Sequence, residues 1–119
     1  MALVTGGQAV VSTLEAENTK YVFGLIGSAT MEIFDALYDS QNINYIGVHD
    51  ERTGVHMADG YARASGNAGL FLAGQNGPGA TNLVTGLSQA MAAFSPVVSI
   101  AGALSFSHLY RDAFQEIDQ

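Results

Sequence analysis

The chain has no cysteine and no tryptophan, only two prolines, and four basic side chains against eleven acidic ones in 119 residues. Without cysteine there is neither a disulfide framework nor a thiolate metal site, which fits a reducing, cytoplasmic setting. The scarcity of Lys and Arg, with a net charge of −7, argues against a nucleic-acid partner, because phosphate backbones are bound by clustered cations. A phosphorylated ligand would have to be held by backbone amides, a metal or another chain. No apolar run approaches the roughly 18 residues of a membrane span. Met1 to Gly7 lacks the basic segment and apolar run of a secretory signal. His49, His56 and His108 are not at metal-ligand spacing with carboxylates, so no metal is assigned to this chain.

Glycine is abundant instead, with 14 residues set between short apolar runs, a pattern of tight turns and close backbone approach. Thr5-x-x-Gln8 reads as a capping box that opens a helix with Val10, Val11 and Leu14 as its apolar stripe. Tyr21 to Phe23 reads as a strand ended by Gly24. Met31 to Tyr38 reads as a helix, and Tyr45 to Val48 as a second strand. A third helix is predicted from Arg52 to Ser65, stopped by Gly66 and carrying an i,i+4 pair of Asp59 and Arg63. Gly69 to Ala73 is a continuously apolar strand. Gly77-Pro78-Gly79 opens a fourth helix to about Phe94, with Pro78 in its first turn, and Val97 to Ala101 is the last strand.

Apolar strands alternating with helices predict a parallel sheet covered on both faces, in one domain. After Gly102 comes a polar loop, and a further element is expected to begin near Asp112 to Glu116, so the chain reads as truncated at its C-terminus. Ligands of such sheets gather at the carboxyl ends of the strands. Four segments fall there: Gly24 to Ala29, His49 to Glu51, Gly74 to Gly79, and Gly102 onward.

Nucleotide fingerprints fail in these segments. Gly74 to Gly79 has P-loop spacing but continues Ala80-Thr81, with no lysine, and Gly77-x-Gly79 meets Asn82 where a third glycine belongs. There is no Gly-x-Ser-x-Gly elbow. Asp50 and Glu51 at a helix start serve either as caps that suit the dipole or as the acid–base group of a site. The residues by themselves leave both open. A small-residue stripe of Gly54, Ala58, Ala62 and Ser65 suits close helix approach, either inside the domain or across an interface.

Five motifs in order carry a resemblance: Val22-Phe23-Gly24 with Gly27, His49-x-Glu51, Met57 to Arg63, Gly77-Pro78-Gly79-Ala80-Thr81-Asn82, and Asp112-Ala113-Phe114-Gln115-Glu116. From about Gly6 to Gln119 the chain resembles the pyrimidine-binding domain of thiamine-diphosphate enzymes such as acetolactate synthase, pyruvate oxidase and sulfoacetaldehyde acetyltransferase. The resemblance implies a flavodoxin-like, doubly wound α/β fold. It implies Glu51 as the residue that activates the cofactor, through a hydrogen bond to the pyrimidine ring. Ile26, Gly27, Ser28, Gly77, Pro78, Gly79, Asn82 and Gln115 follow as cofactor-binding positions.

It further implies Mg²⁺ and the diphosphate held by a separate C-terminal domain with a Gly-Asp-Gly segment, which residues 1–119 lack along with the middle domain. An FAD requirement is compatible with it and unread in these residues. The implied assembly is a dimer or tetramer with the site between subunits, acting on pyruvate or a related 2-oxo acid or aldehyde. Ile26-Gly27-Ser28-Ala29 and Gln75-Asn76 depart from the usual acetolactate synthase pattern and look closer to sulfoacetaldehyde acetyltransferases, which stays an alternative. A non-catalytic, stand-alone remnant of the domain is another.

Overall fold

The computed structural model describes residues 3–118; Met1, Ala2 and Gln119 lie outside the described residues. In chain order the elements are α1 (Gly6–Ala16), β1 (Tyr21–Leu25), a 3-10 turn (Ser28–Thr30), α2 (Met31–Asp39), β2 (Asn44–Gly47), α3 (Glu51–Ser65), β3 (Gly69–Ala73), α4 (Pro78–Thr81), α5 (Leu83–Ala92) and β4 (Val97–Ala101). All strand pairings are parallel, in the order β2-β1-β3-β4. This is the strand order of flavodoxin-like sheets, which reverses direction between β1 and β3.

The placement of the helices follows from handedness. Crossovers between parallel strands are right-handed, so stepping from β1 outward to β2 puts α2 on one face. Stepping back past β1 to β3, and on to β4, puts α3 and α5 on the other. Strand side chains then alternate between two cores. Val22, Leu70 and Leu72 point toward Val11, Leu37 and Ile43 on the α1–α2 side. Phe23, Phe71 and Ala73 point toward Val55, Ala58 and Leu83 on the α3–α5 side.

Local signals read from the sequence recur in the structure. The Thr5 hydroxyl accepts from the Gln8 amide at 3.1 Å while the Gln8 side chain accepts from the Thr5 amide at 3.0 Å. Gly66 closes α3 in the left-handed conformation, φ 73°. Asp59 and Arg63 pair at 2.8 Å. The small-residue stripe is spent inside the domain. Gly54 lies against the Phe71 ring, and Gly69 against the carbonyl of Ala58, positions where a Cβ would overlap its neighbour. Ser65 is exposed; its hydroxyl donates to the Tyr61 carbonyl at 2.7 Å and accepts from the Asn67 amide at 3.1 Å, just past the helix end.

Three boundaries differ from expectation. Gly24 does not end β1; it pairs with Gly47 and Leu72, and its missing side chain makes room for the Tyr45 ring and the Leu72 carbonyl. The expected fourth helix forms as α4 and α5, parted only at Asn82, whose dihedrals stay helical (φ −63°, ψ −16°). No regular element forms from Gly102 to Asp118. The Glu116 carboxylate gathers the backbone N–H groups of Tyr110, Arg111 and Ala113 into a turn. Burial alone would raise the pKa of Glu116, but these donors outweigh it and hold the group below its ordinary value.

Candidate functional site

The reversal in strand order brings the loops after β1 and β3 together, and they touch through main chain. A Cβ on Gly27 would overlap the Gly74 carbonyl, and one on Gly74 would overlap the Gly27 nitrogen. The Ala29 amide donates to the Gly74 carbonyl at 3.0 Å. Ser28 presents both its backbone N–H (3.1 Å) and its hydroxyl (2.8 Å) to Oε1 of Gln75. Ile26, just before this contact, is 63% exposed.

At the end of β2 the chain turns into α3 with two adjacent carboxylates in different roles. Asp50 is the cap: its side chain accepts from the Arg52 amide at 2.9 Å and pairs with the Arg52 guanidinium. The Arg52 side chain holds the Asp50 carboxyl down at a pKa of about 2. Glu51, the first residue of α3, is only 8% exposed. Its Oε2 accepts from the Asn82 amide at 3.0 Å, and Oε1 has no hydrogen-bond partner among the described residues. Of the two carboxylates, then, one caps and the other is turned inward.

Gly79 in α4 lies against Glu51, and a Cβ there would stand 3.3 Å from Oε1 and 3.1 Å from the Gln75 Cβ. The Gly77 backbone has φ 59°, which glycine adopts without penalty, and the Gln115 carbonyl packs on it so closely that a side chain would overlap. Pro78 is exposed on the same turn. The structure thus brings Glu51, Gly79 and Asn82 into one cluster, and Gly77 and Gln115 into a second beside it. Ser28 and Gly27 join them through Gln75. Pro78 joins the first cluster through its carbonyl, which accepts from the Asn82 backbone N–H at 3.1 Å, while Ile26 makes no polar link to either among the described residues.

Sequence reasoning missed Gln75 and Asn76 as site-forming residues. Asn76 is 3% exposed; its Oδ1 accepts from Gln75 Nε2 at 2.9 Å, and its Nδ2 donates to the Phe114 carbonyl at 3.1 Å. The one available signal was position, between two glycines at the end of a buried strand.

Two clefts border this region. One of about 740 Å³ is lined by Ser28, Thr30, Gln75, Asn76, Leu104 and Phe114, among others. One of about 380 Å³ lies under the loop of Tyr110 to Asp118. Glu51 lines neither. Among the described residues there is no group of three or more His, Asp or Glu placed to hold a metal ion, and no helix long and apolar enough to cross a membrane.

Residues 4–119 match the family described as thiamine pyrophosphate enzyme, N-terminal TPP binding domain. The chain is 47% identical over 113 residues, 95% of its length, to a probable acetolactate synthase large subunit of Methanocaldococcus jannaschii. It is 42% identical over 118 residues, 99% of its length, to the acetolactate synthase large subunit of Haemophilus influenzae. The same identity and coverage hold for acetolactate synthase isozyme 3 large subunit of Escherichia coli K12. The match covers 19% of the first of these relatives and 20% of the other two, so the chain spans about a fifth of their length.

Proposed function

The chain belongs to the thiamine pyrophosphate enzyme family as its N-terminal TPP-binding domain, and from that premise we propose that it is the cofactor-activating part of an acetolactate-synthase-like enzyme acting on pyruvate or a related 2-oxo acid. The observation that carries this is the cluster of Glu51, Asn82 and Gly79. A buried carboxylate has one oxygen held at 3.0 Å by an amide, and the position beside its other oxygen has no side chain. These residues fit the edge of a nitrogen heterocycle: one acid–base oxygen, and space where a Cβ would otherwise stand.

When bound, thiamine diphosphate supplies an acidic thiazolium carbon and an electron sink for carbon–carbon bond chemistry. The chain's own residues would do the placing. Glu51 would share a proton with the pyrimidine ring at Oε1, a general acid–base role, while Asn82 fixes the carboxylate's orientation. Gly77, Pro78 and Gly79 would bring backbone against the ring. Ile26, Gly27 and Ser28 on one side and Gln115 on the other would line the reaction centre.

The diphosphate and its Mg²⁺ fall to another segment of the full-length protein. A chain of net charge −7 repels the diphosphate, and Mg²⁺ requires a set of oxygen ligands. The enclosing surface falls to the remainder of the full-length protein, in a dimer or tetramer with the site between subunits, a reading supported by membership of the family. The sulfoacetaldehyde reading rests on Ile26 to Ala29 and Gln75-Asn76 alone, and the relatives reported above carry acetolactate synthase names.

The test is Glu51→Gln in the full-length enzyme. Exchange of the bound cofactor's thiazolium proton for deuterium should slow by about 10²-fold or more, the scale of a positioned acid–base group, with an unchanged circular dichroism spectrum. Unaltered exchange would reject the role given to Glu51.

A further inference from the structure

Four residues from three separate stretches of chain form one continuous hydrogen-bonded bridge. Ser28, after β1, donates twice to Gln75 Oε1, at 3.1 and 2.8 Å. Gln75, after β3, donates from Nε2 to Asn76 Oδ1 at 2.9 Å, and Asn76 Nδ2 donates to the Phe114 carbonyl at 3.1 Å. Every side-chain amide group in the path has a partner, and Asn76, at its centre, is 3% exposed. Asn76 is the buried amide of the path, with Gln75 half-buried and Ser28 exposed, so losing either partner of Asn76 leaves a buried polar group unsatisfied and favours this one geometry. All four residues also line the 740 Å³ cleft.

The chemistry of the pair is specific. An amide accepts at one end and donates at the other, so Gln75 and Asn76 in series pass a bond from one loop to the next. A single hydroxyl on a short side chain spans neither gap. The far end of the bridge determines where Gln115 lies, since the Phe114 carbonyl is fastened and the next carbonyl, that of Gln115, packs on Gly77. The near end holds Ser28. These are the opposite walls of the reaction centre in the function proposed above.

We propose that Gln75 and Asn76 are positioning residues that tie the loop after β1 to the segment of Phe114 and Gln115, and so determine how the site grips its 2-oxo acid substrate. The inference rests on that proposed function, and its test separates the two. In the full-length protein, Asn76→Asp removes the donor to Phe114 and sets a carboxylate against a carbonyl oxygen. Gln75→Glu keeps the acceptor for Ser28 and removes the donor to Asn76.

Amide exchange without cofactor or substrate reads the bridge itself. Both variants should speed exchange at Phe114 to Glu116 by about tenfold, the scale of one net hydrogen bond, with α3 and α5 unaffected. With pyruvate as the probe, Asn76→Asp should raise KM by about tenfold and leave kcat within about threefold, because it disturbs substrate grip and leaves Glu51 in place. Gln75→Glu, with Ser28 still held, should show a smaller rise. Unchanged exchange in both variants would overturn the bridge. Faster exchange with unchanged KM, or a uniform loss of protection that includes α3 and α5, would overturn the positioning role. A parent enzyme with no turnover of 2-oxo acids would sink the proposed function and with it the substrate grip, while the exchange measurement still decides the bridge.

Discussion

Asn82 holds one oxygen of Glu51 at 3.0 Å across 31 residues of sequence and leaves the other oxygen of that carboxylate without a hydrogen bond among the described residues. Asn82 lies at the single break between α4 and α5, and Glu51 is the first residue of α3. The packing of α5 on α3 therefore determines how the carboxylate faces.

Removing that donor while keeping the branched shape, as in Asn82→Leu, should let the Glu51 side chain turn. Turnover by the full-length enzyme is expected to fall about tenfold, the scale of a hydrogen bond to a charged group, with a melting temperature close to the parent's. Turnover near the parent's would show that Glu51 needs no such orientation.

Two glycines in α3 should respond in opposite directions. A methyl group at Gly54 lands on the Phe71 ring, which is wholly buried, so Gly54→Ala is expected to cost about 2 kcal/mol, within the range of overpacked cores. At Gly60 a Cβ would have nothing within 4 Å, and Gly60→Ala on this exposed helix position should stabilise by about 0.5–1 kcal/mol. Amide exchange of the β3 and α3 backbone in the full-length protein reads both, as faster exchange in the first and slower in the second.

The Asp59–Arg63 pair should leave an acid limb in the stability profile. Hydrogen bonding from the Arg63 guanidinium lowers the Asp59 pKa in the folded chain. A depressed folded value means the carboxylate's contribution is present above the unfolded value of about 3.9 and is lost as pH falls through the folded one. Asp59→Asn should thus melt lower than the parent at pH 6, with the gap closing as pH drops below about 4. Thermal melts of both proteins across that range check it, and a gap independent of pH would assign the effect to packing instead.

What was legible in the sequence was what depends on near neighbours or on simple period. The Thr5–Gln8 box, the Gly66 stop, the Asp59–Arg63 pair and the apolar run of β3 are all local, and all recur. The position of Glu51 after β2 was legible because strand ends collect ligands. The choice between Asp50 and Glu51 as cap was not, since it turns on which side chain meets the Arg52 amide and which meets Asn82 in a distant helix. The Gly54 and Ala58 stripe could serve an interface or a core until the crossover placed α3 on Phe71. The path from Ser28 to Phe114 was hidden for the same reason: its links join positions 47 and 38 residues apart, and no periodicity records them.

The main-chain contact of Gly27 with Gly74 bears on how this domain could be redesigned. Directed evolution toward a new substrate has no foothold at either position, because any side chain there wedges the two loops apart before it can reach a ligand. Variation has to enter at the rim, through exposed Ile26 and Ser28 or through Leu104 in the cleft wall. Libraries built on those three positions, with the two glycines held constant, should return more folded clones than libraries that randomise the whole loop.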